Sequence, residues 1–429
     1  MARLVCLLSA ALLFAMPAFG QPAEKPARDP DLAERAWIAS AAYHAVKRYF
    51  AHWEGLPADY DFDARYRAAL AEGLASPDRR GFTLAMTRLF ASLENGHTGF
   101  TDLPLQDQAG DMPFRAQRMD GKWVVTRSTI PALNPGDVIV AVDGQPVDSW
   151  LKPVRSGIAQ SDDFARDRLT WISEMLFPRR FTLGLQGGRS VPIDLDSKSA
   201  GPMRGRMLSR ESGAVRRADG VLVVRIPSFD DPKFEQAAIE AVRNAGDAKA
   251  ILFDVRNNGG GSTPVKLLET VMTKPYRGTL VATPLTVAEF DARAVFDPED
   301  HPFPKGMIRY GPQTIAPRPD AVATPMAVLA DGGCGSACED FIARFQDGKR
   351  GPLMGERSFG STGQPYMVQF PEFGMNFRVS TKRESLPNGR QLEGRGVLPD
   401  VAIPLTLEEI RSGKDVQLET AVKRLLAQP

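Results

Sequence analysis

Residues 328–341 read Val-Leu-Ala-Asp-Gly-Gly-Cys-Gly-Ser-Ala-Cys-Glu-Asp-Phe. An apolar run ends in a glycine-rich turn and a helical pattern opens directly after it, so the spacing predicts a strand over 326–330 and a helix over 339–346. Ser336 stands between small residues at that junction. A hydroxyl there can be exposed, and the N–H of Ala337, at a helix start, has no intrahelical partner and faces the same space. Residue type alone leaves a second role open, helix capping by Ser336.

A similar junction lies upstream: Asp254-Val255-Arg256-Asn257-Asn258-Gly259-Gly260-Gly261. Three glycines without Cβ atoms let the backbone turn sharply and approach a ligand closely. The segment lacks the Gly-Lys-Ser/Thr ending of a phosphate-binding loop and the spacing of a dinucleotide fingerprint, and a purely structural turn is the other reading. Strand patterns at 220–226 and 250–255 and helix patterns at 234–245 and 264–272 surround these turns. Such alternation predicts an α/β core, a largely buried sheet with helices packed on it.

Ahead of this core, 112–195 carries short strand-like runs at 123–126, 137–142 and 181–185, joined by the tight-turn chemistry of Pro135-Gly136-Asp137 and Asp143-Gly144-Gln145. A small β-rich module is expected. Residues 31–94 have helical periodicity, broken at 55–57 and 76–78, and close on Glu94-Asn95-Gly96-His97-Thr98-Gly99-Phe100.

The whole chain has 429 residues, 53 Lys+Arg against 52 Asp+Glu, a net charge of +1 and 43% hydrophobic residues. This length suits two or three domains with a sizeable core, which excludes disorder, and the balanced charge offers no field for nucleic acid or an anionic membrane. Arg3, the apolar run 4–16 and Ala18-Phe19-Gly20 have the pattern of a cleavable secretory signal peptide, with an uncleaved anchor as the alternative. A secreted or periplasmic protein without stable membrane insertion is expected. Beyond Cys6 the cysteines are Cys334 and Cys338, flanking Ser336; a disulfide and two small buried thiols are both open, and no metal or organic cofactor is called for.

A nucleophilic serine needs a base, and the histidines are His44, His52, His97 and His301. His44 and His52 fall in helical text beside aromatic residues, and His301 lies in a proline-rich stretch. His97 follows a helix end on a turn from which an imidazole can be aimed into a cleft.

Segments 97–100, 132–147, 221–229, 251–261, 328–341, 355–365 and 393–400 together resemble, in order, the C-terminal processing peptidase and tricorn-core family of serine peptidases. Val223-Val224-Arg225-Ile226-Pro227-Ser228-Phe229, the Asp-x-Arg-x-Asn-Gly-Gly-Gly loop at 254–261 and Ser336-Ala337-Cys338-Glu339 match its landmarks, as do Gly355-Glu356-Arg357-Ser358-Phe359-Gly360 and Gly394-Arg395-Gly396-Val397-Leu398-Pro399-Asp400. The resemblance implies a crotonase (ClpP)-like core over 198–429, a PDZ-like domain over 105–197 and a helical N-terminal segment over 21–104, after a signal peptide at 1–20. Where the processing-peptidase branch places a catalytic lysine, this chain has Ser361, whose hydroxyl is too weak a base at neutral pH. The tricorn-like branch uses a histidine ahead of the PDZ-like region, matched by His97, and an acidic residue near the C-terminus, matched by Glu393. The resemblance therefore implies Ser336 as nucleophile, His97 as base and Glu393 as its orienter, with Ser361 a candidate intermediary, and Gly259 or Gly260 with Ala337 as oxyanion donors. An exported endopeptidase acting on unfolded or C-terminally exposed polypeptides is expected. The competing expectation is a non-catalytic binding protein of the same fold for apolar ligands or peptides.

Overall fold

Alternating burial organises the central sheet. Leu222, Val224, Ile251, Phe253 and Val328 point to one face, and Val221, Val223, Leu252, Ala327 and Leu329 to the other, as the two-residue strand period requires. The computed structural model describes residues 27–197, 212–285 and 306–427. The leader at 1–20, the expected boundaries at 21 and 198, and His301 lie outside the described residues.

The six strands run in the order Val401–Ala402, Leu353–Gly355, Met326–Ala330, Ala250–Asp254, Val221–Arg225 and Gly213–Arg216. All neighbours are parallel except the last pair. Helices Pro232–Arg243, Val265–Val271 and Ala337–Asp347 contribute to one apolar cluster, and Val416–Leu426 covers the opposite face. Each large apolar side chain buried here contributes roughly 1.5–3 kcal/mol, and Phe253→Ala would cost about 3–5 kcal/mol. The strand Gly213–Arg216 carries no sequence signal because all four residues are exposed at the sheet edge.

The β-rich module is an antiparallel sheet ordered Phe114–Met119, Lys122–Ser128, Val138–Val142, Arg180–Leu185 and Ser190–Asp194, with Gln145–Pro146 paired to the third strand. Asp143 and Gly144 both have positive φ, 48° and 76°, the conformation a tight two-residue hairpin needs. Trp123, Trp171, Phe114, Phe177 and Phe181 fill its core.

At the N-terminal end, Asp31 and Glu34 form a capping box that starts the helix Leu32–Tyr49. Asp61 and Asp78 cap Phe62–Ala75 and Arg79–Ala91. These helices close over a sheet in which Gly99–Asp102 pairs with Met375–Ser380, which pairs with Pro365–Phe370. Ile38, Phe82, Phe90, Phe370 and Phe377 share one cluster, so the start of the chain packs against residues far downstream. Among the described residues no helix is long and apolar enough to cross a membrane.

Candidate active site

Two glycine-rich turns meet at the C-terminal ends of parallel strands Ala250–Asp254 and Met326–Ala330, where open α/β sheets place ligands. Gly335 N–H donates to Asn258 O at 3.1 Å, and Asn257 N–H to Asp331 Oδ1 at 2.7 Å, which fastens one turn to the other. Ser336 sits at the head of the helix Ala337–Asp347 with φ 53° and ψ −123°, a conformation uncommon for a residue with a Cβ. Its N–H is shared between Ser361 O at 3.1 Å and Glu339 Oε2 at 3.2 Å. Its Oγ lies 3.1 Å from Nε2 of His97.

The His97 turn is shaped by Asn95, whose Oδ1 accepts from His97 N–H at 3.0 Å and Thr98 Oγ1 at 2.9 Å. Gly96 leaves room for the rest: a Cβ there would come within 2.6 Å of Ser361 Oγ and 2.7 Å of Gln160 Oε1. Nδ1 of His97 stands 3.0 Å from Ser361 Oγ. Burial, reinforced by the charges of Arg378 and Lys382, pushes the imidazole down to about 3. It is therefore neutral at physiological pH. A hydroxyl donated by Ser336 to Nε2 puts the ring proton on Nδ1, from which it is donated to Ser361.

Glu393 lies behind Ser361 and is buried. Its Oε1 accepts from Ser161 Oγ at 3.0 Å, while Oε2 has no hydrogen-bond partner. Burial pushes this carboxyl up to about 8, assisted by the charge of Glu339 and opposed by Ser161, Gly96 N–H and the Ser361 hydroxyl.

Glu339 accepts from Ser358 Oγ at 2.5 Å, Gly360 N–H at 2.8 Å, Ser361 N–H at 3.0 Å and Ser336 N–H at 3.2 Å. Four donors suit its ionised form, against which burial pushes the carboxyl up to about 8. One side chain thereby spaces the nucleophile turn from the strand of residues bearing Ser361.

Among the expected oxyanion donors, Ala337 N–H opens the helix and Gly259 N–H has no partner among the described residues. Gly260 differs. Its N–H is held by Asn258 Oδ1 at 2.9 Å, and its φ of 101° and close approach, 2.6 Å from a notional Cβ to Gly335 O, give it a packing role. Of the two glycines, Gly259 is the one with a donor to offer.

Neither of the other two described histidines touches Ser336. His44 is exposed, and His52 is buried beside Ser380 Oγ and Lys382 O at 3.0 and 3.1 Å; burial, assisted by the charge of Arg383 and opposed by the Lys382 carbonyl, pushes it down to about 4 and leaves it neutral. Cys334 and Cys338 are joined in a disulfide that encloses Ser336, with both residues buried. Among the described residues no cluster of three or more His, Cys, Asp and Glu could hold a metal ion.

Three side chains around the site were not singled out from sequence. The Ser336-x-x-Glu339 spacing is a capping-box pattern that could have marked Glu339, and Asn95, two residues before His97, has turn-forming chemistry that could have marked it. Ser161, in a polar run, carried no signal.

Residues 220–403 match the model of peptidase family S41. The carboxy-terminal-processing protease of Bartonella bacilliformis is 33% identical over 94 residues, 22% of this chain and 21% of that protein. The chloroplastic carboxyl-terminal-processing peptidase 2 of Arabidopsis thaliana is 27% identical over 236 residues, 51% of this chain and 42% of that one. The chain thus spans less than half the length of the curated relatives it matches. The crystal structure of mature CPAF shares the fold, with a TM-score of 0.71 and 17% identity over 92% of this chain and 97% of that one. The stretch that is similar to peptidase family S41, residues 220–403, is thus the sheet core that carries Ser336 and Glu393.

Proposed function

We propose that this protein is a serine endopeptidase that hydrolyses peptide bonds of unfolded or C-terminally exposed polypeptides. The observation that supports this most is the placement of one imidazole between two hydroxyls, Ser336 at 3.1 Å and Ser361 at 3.0 Å. In this reading Ser336 Oγ attacks the substrate carbonyl carbon as its proton passes to Nε2 of His97. The carbonyl oxygen becomes an oxyanion held by the N–H groups of Ala337 and Gly259. Collapse breaks the C–N bond, and the imidazolium gives its proton to the departing amine. Water repeats the sequence on the acyl-enzyme, releasing the carboxylic acid and restoring the serine.

Glu393 completes a Ser-His-Glu arrangement through Ser361: the imidazolium Nδ1–H is held by Ser361 Oγ, whose own proton turns to Glu393. A positive charge on His97, disfavoured in its buried setting, is eased by that chain. The parallel sheet with helices on both faces supports a crotonase-like core. The antiparallel unit over 114–194, with its hairpin at Asp143-Gly144, supports a PDZ-like module that helps hold extended chains. Export is part of this proposal, supported by the apolar run at 4–16.

Hydrolysis of casein and of an unstructured peptide by the purified protein tests the proposal. Activity that disappears in Ser336→Ala is expected; saturable binding of an apolar ligand without turnover would favour the binding-protein alternative.

A further inference from the structure

One support of the candidate relay comes from the β-rich module. Ser161 lies between the helices Val147–Arg155 and Asp163–Thr170, yet its hydroxyl donates to Oε1 of Glu393 at 3.0 Å. Several contacts fix the same segment on the core. Arg357 reaches Asp162 Oδ2 at 2.7 Å and lies 4.3 Å over the ring of Phe164, and Arg168 pairs with Asp331 at 3.4 Å. Gln160 abuts Gly96, the residue before His97, and Gly394 has φ 68° where a Cβ would stand 3.3 Å from Ser161 Oγ.

We infer that Ser161 is a positioning residue: seating the 160–168 segment on the core fixes the orientation of Glu393, so that the chain of groups behind His97 is complete only when the module is docked. This deepens the peptidase reading and rests on it. A carboxyl group presents two oxygens, and engaging Oε1 from the module side leaves Oε2, which makes no hydrogen bond in this structure, available to a Ser361 hydroxyl that turns toward it. Without the Ser161 hydroxyl, Glu393 loses the hydrogen bond that holds Oε1, beside a cavity of about 340 Å³ that it lines. Arg357, Arg383 and Arg395, with Glu94, Asp162 and His52, line the same cavity, and Glu339 acts on Glu393 from the nucleophile helix. All of these remain when Ser161 is replaced, so a change in Glu393 titration reads the lost hydroxyl. Its loss removes a hydrogen bond that lowers the Glu393 pKa, and the midpoint must move upward.

The test compares full-length wild type with Ser161→Ala, Ser161→Thr and the distant Ser190→Ala. Peptide hydrolysis is followed across pH, and the Glu393 carboxyl is titrated by carbon-13 NMR. The expected result for Ser161→Ala is a kcat lower by about tenfold with KM unchanged, and a Glu393 midpoint higher by about one unit. Ser161→Thr should restore both, and Ser190→Ala should match wild type. A wild-type Glu393 midpoint in Ser161→Ala would overturn the inference, as would a loss of kcat with no shift in the pH profile, which marks a merely structural role. If wild type cleaves no peptide, the peptidase reading fails, while the NMR midpoint still decides whether Ser161 orients Glu393.

Discussion

The Ser361 hydroxyl stands 3.0 Å from Nδ1 of His97, on the side of the ring opposite Ser336. Its backbone is held in turn: Ser361 O accepts from Ser336 N–H at 3.1 Å and Ser361 N–H donates to Glu339 at 3.0 Å. The residue that backs the base is therefore tied directly to the nucleophile. Ser361→Ala should lower kcat by about 10²-fold with little change in KM, and Ser361→Thr should recover part of it. Steady-state kinetics on an unstructured peptide checks this, and a Ser361→Ala enzyme with unchanged kcat would remove Ser361 from the relay.

The pH dependence should be set by Glu393. As pH falls through about 8 this carboxyl takes up a proton and ceases to accept fully from Ser361, whereas His97, at about 3, stays neutral across the same window. Activity should thus decline below about 8, above the ordinary histidine range near about 6.5. In Glu393→Gln the plateau should drop and the decline should shrink to whatever Glu339, also near about 8, contributes. A limb at the ordinary histidine position that persists in Glu393→Gln would assign the titration to another group.

Stability should respond to the same buried acids. Glu339 and Glu393 bind protons more tightly folded, at about 8, than unfolded, where the ordinary value is 4.5. The folded state therefore holds more protons between these values, and stability falls as pH rises from 4.5 toward 8. Glu393→Gln, which stays uncharged, should flatten part of that fall. Thermal melts at pH 5 and pH 8.5 should show its Tm gaining on wild type by roughly a few degrees at the higher pH.

Gly260 is fixed by geometry. With φ 101° and a notional Cβ 2.7 Å from that of Ser336, Gly260→Ala should destabilise the protein by roughly 1–3 kcal/mol and displace the nucleophile turn. Gly259 has open space where a Cβ would go, so Gly259→Ala should leave the denaturation midpoint close to wild type. Urea denaturation of both variants checks the contrast.

The buried strands and their helices were legible because a two-sided sheet writes an apolar run and a packed helix writes a 3.6-residue period. Ala250–Asp254 and Met326–Ala330 are buried along their whole lengths and carry that signal. Gly213–Arg216 is exposed throughout and carries none. Ser336 and His97 were readable from glycine-rich turn chemistry, but their approach across the fold depends on Gly99–Asp102 pairing with Met375–Ser380, a long-range register no local pattern encodes. The resemblance already offered Ser361 as an intermediary between His97 and Glu393, but not its distance from the ring. Whether a carboxyl touches a ring or a serine between them depends on one side-chain length, and the Ser161 contact depends on how the module docks.

In the proposed mechanism His97 activates Ser336. Mass-spectrometric mapping of a fluorophosphonate adduct tests it most directly, with labelling rates compared between wild type and His97→Ala at neutral pH. Modification at Ser336 is expected, slowed by about 10³-fold or more in His97→Ala. Labelling at another residue, or an equal rate at Ser336 without the imidazole, would contradict it.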